Sequence, residues 1–417
     1  MGHSSSEHFP VVILGAGPAG SGTALALARQ GIRHLLVDKA VFPRDKICGD
    51  ALSGKVVQVL RKLDPEWINE LASNQSEFVG SYGVRFVSPG GHAVDIPFSS
   101  NLASLKHPPG FLSRRLHFDA WLLKKLDATY TTFRQGWEAK SLRVTPEQAE
   151  ITFHQDGQEH VVTADVVVGA DGDRSLVNRE LNTRTIDPGH YCAGIRAYYR
   201  NVQGLHADHF IELHFLKEFL PGYLWIFPMA NGMANVGVGM LSSEVSHRRI
   251  DLKAMMQHAI RQHPELHARF AHAELEGDVR GWGLPLGSVR RKLSGNRMML
   301  TGDAASLIDP FTGEGIGNAM LSGEVAAGIL HQAFAQGKFD AISLAAYDAE
   351  IYRRLWPEIR LSRRMQQLSR QAWLFDLVVR KAKKNPTLRE TITCMFEDID
   401  LRDRFRSPSF YFKLLFQ

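Results

Sequence analysis

Two short apolar runs near the start of the chain frame a glycine-rich turn. Residues 11–14 are all apolar and mostly β-branched, which predicts a strand buried on both faces. The alanine- and leucine-rich residues 23–30 predict a helix that ends at Gly31. Residues 34–38 predict a second strand, which ends on Asp38. The order strand, glycine turn, helix, strand, acid is typical of a dinucleotide-binding unit.

The pattern changes to shorter alternating segments beyond residue 80. Residues 84–87 and 93–96, separated by a Pro-Gly-Gly turn, predict antiparallel strands. The other predicted elements are a helix at 116–126, strands through 144–168 and within 190–285, one helix near 250–262, and a strand at 298–303 that returns to the first sheet. The predicted fold class is therefore α/β, a nucleotide-binding fold interrupted by β-rich insertions.

Composition limits the classes of protein that remain. The chain has 417 residues, 44% hydrophobic and 22% charged, which fits a folded soluble protein of two or three domains. A net charge of +5 is too small to indicate a nucleic-acid partner. The 3 cysteines lie far apart, so they predict no metal site and no disulfide framework, and they are too few for a four-cysteine iron–sulfur cluster. We find no signal peptide and no membrane span, and expect a cytoplasmic protein.

Each glycine of the first turn has a steric role in binding a dinucleotide. Gly15 permits a tight turn, Gly17 lets the backbone approach a pyrophosphate, and Gly20 allows close packing of helix on strand. The start of the following helix directs free amides at the phosphates. A carboxylate at Asp38 can accept hydrogen bonds from ribose hydroxyls. The predicted cofactor contacts of this region also include Pro18, Ala19 and Lys39.

A second group of residues, far along the chain, indicates which dinucleotide is bound. Gly302 and Asp303 follow a predicted strand, and a glycine-rich helix start comes next. The acid can bond a sugar-like hydroxyl, and the helix can direct its amides at a developing negative charge. A flavin joined through ribitol needs such a distant site, whereas a nicotinamide cofactor does not. The predicted contacts at this helix start are Pro310, Gly313, Gly315 and Ile316.

Three motifs in this order resemble the FAD-dependent oxidoreductases of the para-hydroxybenzoate hydroxylase type, over residues 10 to 345: the first glycine turn, Asp171-Gly172 and Gly302-Asp303. The resemblance implies a Rossmann-like FAD-binding domain in which Asp303 contacts the ribitol hydroxyls. It also implies that Arg115 contacts the cofactor, with Arg114 as the neighbouring candidate.

One position departs from that family's pattern. The Asp-Gly motif of the family usually continues with a serine and, three residues later, an arginine. Ser175 is present, but Asn178 occupies the arginine position and Arg179 follows it. A role for that arginine in cofactor binding therefore does not carry over directly.

Two further segments narrow the resemblance to geranylgeranyl reductases. Residues 46–50, Lys-Ile-Cys-Gly-Asp, resemble their cysteine-containing segment and add Cys48 and Gly49 to the expected cofactor contacts. Residues 223–228 resemble their aromatic strand motif. The related halogenases have two tryptophans and an isoleucine in that strand, so a halogenase is disfavoured. Lys55, a conceivable halogenase lysine, is interpreted as a solvated helix residue.

The roles of these side chains stay open between chemistry and packing. Cys48 can donate a proton near a flavin or pack as a small apolar residue. Tyr223, Trp225 and Phe227 alternate on a strand and so point to one face. They can line a substrate pocket, for which glycines 237 and 239 would leave room, or belong to the core.

The predicted organisation has three parts. Residues 8–78, 106–185 and 286–345 form a discontinuous FAD-binding domain, and 79–105 with 186–285 form a β-rich (α+β) substrate domain. Residues 346–417 form a helical C-terminal region. A basic amphipathic stretch at 353–389 either lies on an anionic membrane or packs on the domain with a solvated basic face.

The predicted function is transfer of a hydride from reduced FAD to a hydrophobic, isoprenoid-type substrate. NAD(P)H, or another reductant such as a small electron-transfer protein, would act as a transient electron donor. Two alternatives remain: an aromatic or polyketide monooxygenase, and an electron-transfer flavoprotein without an organic substrate. No metal is expected.

Overall fold

The structure is a computed structural model that describes residues 7–99, 101–182, 186–385 and 389. Its strands are β1 Glu7–Leu14, β2 His34–Asp38, β3 Ala51–Leu52, β4 Val79–Ser81, β5 Gly83–Val87, β6 Ala93–Pro97, β7 Gly110–Leu112, β8 Thr131–Gln135, β9 Glu138–Val144, β10 Ala149–Gln155, β11 Gln158–Gly169, β12 Tyr191–Arg200, β13 Ile211–His214, β14 Tyr223–Pro228, β15 Ala234–Leu241, β16 Glu274–Pro285, β17 Ser294–Gly295 and β18 Met298–Leu300.

The helices are α1 Pro18–Arg29, α2 Gly54–Leu63, α3 Glu66–Ser73, α4 Arg115–Lys124, α5 Leu176–Leu181, α6 Ser242–Arg248, α7 Leu252–Gln262, α8 Pro264–Phe270, α9 Ile316–Gln336, α10 Ala341–Leu368 and α11 Ala372–Lys384. Within the described ranges, none of them is both long and apolar enough to cross a bilayer. The α/β fold class predicted from the sequence is confirmed.

The chain divides into two compact units. Unit 1 comprises residues 1–46, 114–191 and 283–363, and unit 2 comprises 47–113, 192–282 and 364–417. Residues 47–78, which the sequence analysis assigns to the FAD-binding domain, group with unit 2 in this division. The three-part domain organisation stays a prediction.

Unit 1 is built on a mainly parallel sheet with the strand order β17-β18-β11-β1-β2-β8. Strand β1 lies in the middle and is fully apolar where it pairs with both neighbours, as expected for a strand covered on both faces. Helix α1 packs closely on α9: a Cβ added at Gly323 would lie 2.7 Å from the amide nitrogen of Thr23. The glycine turns and acids of unit 1 follow the carboxyl ends of these parallel strands.

Unit 2 contains a seven-stranded sheet with the order β16-β12-β15-β14-β13-β5-β6 and a small sheet of β3, β7 and β4. The two faces of the large sheet differ. One face packs on α7 and α8 through an apolar core that includes Ile226, Val236 and Met256. The opposite face carries Trp225 and Tyr198, because successive side chains of a strand point to opposite sides. We call this second side the aromatic face.

The structure corrects two of the predicted elements. Strand β18 ends at Leu300 and not at Asp303, because Gly302 has φ +59° and turns the chain into a short 3-10 segment. The predicted single helix near 250–262 is α7, but short helices α6 and α8 flank it. Their seven residues each are too few for a clear helical period. Cys394 lies outside the described residues.

Candidate active site

The first glycine turn of unit 1 has a geometry that side chains would not permit. Gly15 has φ +99°, and its amide donates to the Val37 carbonyl at 2.7 Å, which ties the turn to β2. A Cβ at Gly15 would lie 2.4 Å from the Ala170 carbonyl oxygen, and one at Gly20 would lie 1.8 Å from the Gly15 carbonyl oxygen. Both contacts are shorter than atoms tolerate, so the turn requires glycine at these two positions.

Asp38 is held beside this turn by two backbone amides. The Ala16 amide donates to Oδ2 and the Ala40 amide donates to Oδ1, each at 2.8 Å. Each carboxylate oxygen keeps a second lone pair for a further donor. This arrangement fits recognition of a ribose diol. Lys39, the next residue, is exposed, and its role in cofactor binding stays a prediction.

Two arginines converge on Gly17 through one shared carboxylate. Arg115 binds Asp119 with two hydrogen bonds of 2.6 Å, and Arg44 Nη1 donates to Asp119 Oδ2 at 2.7 Å. Asp119 is completely buried. A Cβ at Gly17 would lie 3.6 Å from Arg115 Nη2 and 3.7 Å from Arg44 Nη2. The space in front of Gly17 is therefore bounded by two guanidinium groups, which suits a pyrophosphate.

Arg115 was predicted from the sequence as a cofactor contact, whereas Asp119 and Arg44 were not predicted. The Arg115–Asp119 spacing of four residues on one helix was an available signal, because side chains at i and i+4 are neighbours. Arg44 comes from a loop 75 residues before Asp119, so no local pattern connects them. Arg114 precedes the first residue of α4, and it is Arg115 that lies beside Gly17.

The second pair of motifs lies at the carboxyl ends of β11 and β18. Lys46 Nζ is 3.9 Å from Asp303 Oδ2 and would be 3.4 Å from a Cβ at Gly172, so this amine stands between the two turns. Asp303 keeps about a fifth of its side chain exposed, which leaves it available to a hydroxyl. Gly302 packs against Ala19, where an added Cβ would come within 2.9 Å. Pro18 and Ala19, both buried, occupy the first turn of α1.

Asp171 has a structural partner of its own. Its Oδ2 accepts from the Leu176 amide at 2.7 Å, at the start of α5. Burial raises the pKa of this carboxyl, and hydrogen bonding opposes that effect. Ser175 caps the same helix, with Oγ accepting from the Asn178 amide. The Asp171-Gly172 motif thus builds the loop, and direct contact with the cofactor stays a prediction.

The loop that leads into α9 is organised by Asp309. Its Oδ1 accepts from the amides of Phe311 and Thr312 at 2.9 and 2.8 Å, which fixes the turn after Pro310. Burial raises the pKa of Asp309, and the nearby Glu358 raises it further. Gly313 has φ +73°, and Gly315 immediately precedes Ile316, the first residue of α9. The start of α9 is therefore preorganised, although the Gly317 amide is already bound by Glu314 Oε1 at 2.6 Å.

These residues fit an adenine dinucleotide with a second sugar-like moiety. The glycine turn offers backbone amides, two guanidinium groups face Gly17, and Asp38 and Asp303 stand at separate strand ends of one sheet. The observation that decides the fit is the space at Gly17, where an added Cβ would be in van der Waals contact with the guanidinium groups of both arginines. Among the residues described, no cluster of three metal-ligating side chains occurs.

In unit 2, the aromatic face brings together the predicted pocket side chains. The ring centroids of Tyr223 and Trp225 are 6.3 Å apart, and those of Trp225 and Phe227 are 6.2 Å apart. The expectation that Gly237 leaves room for a ligand is wrong. A Cβ at Gly237 would lie 2.2 Å from Trp225 Cζ2, so the indole itself fills that space. Gly239 is less crowded, with the nearest contact at 3.8 Å.

The cysteine segment lies on this same face. A Cβ at Gly49 would lie 3.0 Å from the Phe227 ring, and Asn235 Nδ2 donates to the Cys48 carbonyl at 2.8 Å. Two motifs that the sequence treats separately are thus in contact within unit 2. Asn235, Asp50 and Tyr198 complete the contact and were missed. They are separated from one another by 37 to 185 residues, and no periodicity relates them.

Comparison with known proteins agrees with this geometry. The digeranylgeranylglycerophospholipid reductase of Methanocella arvoryzae is 30% identical over 352 residues, covering 83% of each chain. The menaquinone reductase of Mycobacterium tuberculosis is 31% identical over 380 residues, covering 86% of this chain and 81% of its own.

Solved structures show the same fold. A geranylgeranyl bacteriochlorophyll reductase-like protein from Thermoplasma acidophilum has a TM-score of 0.80 at 22% identity and covers 98% of this chain and 99% of its own. A flavin-dependent brominase has a TM-score of 0.77 at 23% identity, covering 97% and 99%. The protein-family model described as a FAD binding domain matches residues 8–360 of this chain. The chain therefore belongs to the FAD-binding oxidoreductase family that this domain defines.

Proposed function

We propose that the protein saturates carbon–carbon double bonds of a polyprenyl or other hydrophobic substrate. The observation that carries the proposal is the aromatic face of unit 2, with the cysteine segment packed on it, in a chain whose relatives are named as reductases of a digeranylgeranyl lipid and of menaquinone. Apolar and aromatic side chains favour a hydrocarbon chain over a charged substrate. Reduced FAD supplies the hydride, and NAD(P)H or another reductant supplies the two electrons that restore it.

The residues of unit 1 hold the cofactor in this proposal. Arg44 and Arg115 bind the pyrophosphate beside Gly17, Asp38 binds the adenosine ribose, and Asp303 binds the ribitol chain. The buried Asp119 restrains both guanidinium groups before the cofactor arrives. This restraint lowers the entropy that binding would otherwise cost.

The residues of unit 2 bind and protonate the substrate. Tyr223, which is partly exposed, presents the apolar surface, and the buried rings of Trp225 and Phe227 pack beside it. Saturation adds a hydride to one carbon and a proton to the other, so a proton donor is required. Cys48 is our candidate for that donor, with its proton on Sγ. Replacing Cys48 by serine, which keeps the size of the side chain but is a far weaker acid than a thiol, separates this role from packing. Loss of activity in both Cys48→Ser and Cys48→Ala supports proton donation, whereas activity retained in Cys48→Ser would show that packing is the role.

The decisive experiment uses the purified protein with its copurified cofactor identified by mass and absorption spectrum. After anaerobic reduction, a geranylgeranyl-bearing lipid is added and its mass is measured. An increase of two hydrogens for each double bond, with no oxygen required, supports the proposal. In a parallel reaction in air, stoichiometric incorporation of oxygen into the product would instead establish the monooxygenase alternative, which the similarity in fold to a flavin-dependent brominase keeps in consideration. Flavin reduction without conversion of the lipid would indicate an electron-transfer flavoprotein.

We also propose that the C-terminal helices contact an anionic membrane surface. Trp373 is 66% exposed and Leu368 is 54% exposed, which is unusual for such large apolar side chains. Basic residues of the same stretch of chain are exposed as well: Arg364, Arg370, Arg380, Lys383 and Lys384. An exposed tryptophan among lysines and arginines suits the interface of an anionic bilayer, where a lipid substrate would reside.

Vesicle sedimentation tests this contact. We expect binding to vesicles that contain phosphatidylglycerol, weaker binding to pure phosphatidylcholine, and loss of binding in high salt. Trp373→Ala should weaken binding to the anionic vesicles. The matched control is Trp282→Ala, which removes another partly exposed tryptophan, one that β16 carries. Equal sedimentation with both vesicle types would exclude the electrostatic contact.

A further inference from the structure

A buried carboxylate lies beneath the cysteine segment of unit 2. Asp50 is fully buried, and its Oδ2 accepts two hydrogen bonds, from the Tyr198 hydroxyl at 2.6 Å and from Asn235 Nδ2 at 2.8 Å. Tyr198 is 5% exposed and Asn235 is fully buried. We call these three residues the Asp50 cluster. A buried carboxylate is unfavourable unless it is hydrogen-bonded. Moving the Tyr198 hydroxyl or the Asn235 amide away from Asp50 would therefore be energetically costly.

Asn235 links this cluster to two of the proposed substrate-site residues. Its Nδ2 donates to the Cys48 carbonyl at 2.8 Å as well as to Asp50, and its Oδ1 accepts from Trp225 Nε1 at 2.9 Å. An amide nitrogen has two hydrogens, and both are used here. The amide therefore has one orientation only, since a flipped amide would point oxygen at two acceptors and nitrogen at a donor.

The backbone at Asp50 adds a second constraint. Asp50 has φ +66°, a left-handed conformation that is unfavourable for a residue other than glycine unless its surroundings stabilise it. Its carbonyl accepts from the Ser113 amide at 3.0 Å, and β3 begins at the next residue. On the other side, Gly49 lies against the Phe227 ring. The side-chain hydrogen bonds of Asp50 thus maintain a turn whose position determines where Cys48 lies.

We infer that Asp50 is a positioning residue of the proposed reductase site: its carboxylate fixes the Asn235 amide, which holds the Cys48 backbone and the Trp225 indole in one arrangement. The inference rests on the proposed function, which assigns Cys48 and Trp225 to the substrate site. Asp50 itself has no contact with the reacting atoms in this account. Loss of its carboxylate would leave the Tyr198 hydroxyl and one Asn235 hydrogen without their acceptor, and both groups would have to reorganise.

The first test measures the accessibility of Cys48. Cys192→Ala and Cys394→Ala leave Cys48 as the only cysteine of the three in the chain. In this background, Asp50→Gly removes the carboxylate while glycine still tolerates φ +66°. We expect the rate of maleimide labelling of Cys48 in the FAD-loaded protein to rise about 10-fold or more, because a hydrogen-bonded charged acceptor is lost. Asp50→Asn, which keeps one acceptor oxygen and tolerates the same conformation, should label within about 2-fold of the background.

The matched control lies on the opposite face of the same sheet. Glu212 is also a fully buried acid with hydrogen-bonded partners, but it belongs to the side that faces α7 and α8. Glu212→Gln should leave the labelling rate of Cys48 unchanged. If Glu212→Gln accelerates labelling as much as Asp50→Gly, general loosening of unit 2 is the cause and the inference is wrong. It is equally wrong if Asp50→Gly labels at the background rate.

Steady-state kinetics with a geranylgeranyl-bearing lipid provide the second readout. We expect Asp50→Gly to lower kcat about 10-fold at unchanged FAD content, and Asp50→Asn to restore most of it. Tyr198→Phe, which removes one hydroxyl and keeps the ring beneath Arg196, is the second variant should Asp50→Gly fail to fold. It should accelerate labelling more than Glu212→Gln does. If the wild-type protein does not convert the lipid, the proposed function fails, while the labelling comparison still decides the role of Asp50.

Discussion

The parallel sheet of unit 1 and the antiparallel sheet of unit 2 bring polar side chains together in different ways. In unit 1, Asp38 is the last residue of β2 and Asp303 lies three residues beyond β18, so each stands close in sequence to the carboxyl end of a parallel strand. In unit 2, Tyr198 and Asn235 lie within a sheet face, and their shared partner Asp50 comes from a loop far away in sequence. The first arrangement depends on backbone turns, whereas the second depends on buried side-chain networks.

This difference predicts what each unit is sensitive to. A backbone turn fails when a side chain is added, and such a failure affects ligand binding before it affects the stability of the sheet. A buried network is destabilised when one partner is removed, because the remaining charged or polar group stays buried without its hydrogen-bond or charge partner. The substitutions below test the comparison in order of decreasing effect.

The largest effect is expected at the buried ion pair of unit 2. Arg269 donates to both oxygens of Glu212, at 2.6 and 2.8 Å, and Glu212 is fully buried. Arg269→Met should lower the free energy of unfolding by about 3–5 kcal/mol, because it removes both arginine hydrogen bonds from a buried charge and leaves it the hydrogen bond of His214. Urea unfolding followed by circular dichroism measures the change.

Two controls separate burial from charge. Arg200→Met breaks the pair with Glu276, which is much more exposed, and should cost under about 1 kcal/mol. The double variant Glu212→Leu/Arg269→Met should recover most of the loss, since it removes both charges together. A cost at Arg200 equal to that at Arg269 would contradict the argument from burial.

The same carboxylate predicts a dependence of stability on pH. Burial by itself raises the pKa of Glu212, but the hydrogen bonds from His214 and Arg269 outweigh burial and lower the pKa to about 2. Because the folded-state pKa is lowered, the stabilisation is present above the unfolded pKa near 4.5 and is lost as pH falls towards 2. The loss over that window is about 3 kcal/mol. Unfolding measured at several pH values should show a shallower decline for Glu212→Gln, and identical slopes would refute the assignment.

For unit 1, the sharpest test is Gly20→Ala. The new Cβ would meet the Gly15 carbonyl oxygen at 1.8 Å, so the turn has to move. We expect FAD affinity to fall about 100-fold, or ~2.7 kcal/mol, as measured by recovery of free flavin fluorescence. Gly328→Ala is the matched control, because a Cβ at that position of α9 meets nothing within 4 Å. A Gly20→Ala protein that retains FAD at wild-type affinity would show that this turn does not hold the cofactor.

The two units also differ in what the sequence reveals. The order of strand, glycine turn and acid around Gly15 and Asp38 is local, so it predicts both the fold class and the first half of the cofactor site. Strand β14 was predicted with its observed bounds because residues 223–228 form an uninterrupted apolar run that resembles a known aromatic strand motif. The Asp50 cluster was not predicted, since its residues become neighbours only when β12 and β15 pair beneath the cysteine segment. The same reason explains why Gly237 was interpreted as open space: the indole that fills it belongs to another strand.

The smallest of these effects concerns Arg44, the proposed cofactor-site residue that depends on tertiary structure and not on a local motif. Arg44→Gln removes one positive charge at Gly17 while Arg115 still satisfies the buried Asp119. We expect FAD affinity to fall about 10-fold, or ~1.4 kcal/mol, with a weaker dependence on salt, because one charged contact with the pyrophosphate is lost. Fluorescence titration at two salt concentrations measures both quantities. Arg134→Gln, which removes an arginine paired with the exposed Glu7 of the same sheet, should leave FAD affinity unchanged. If the two arginine variants bind FAD equally well, Arg44 belongs to the fold alone, and the cofactor site of unit 1 is as local as its sequence motif suggests.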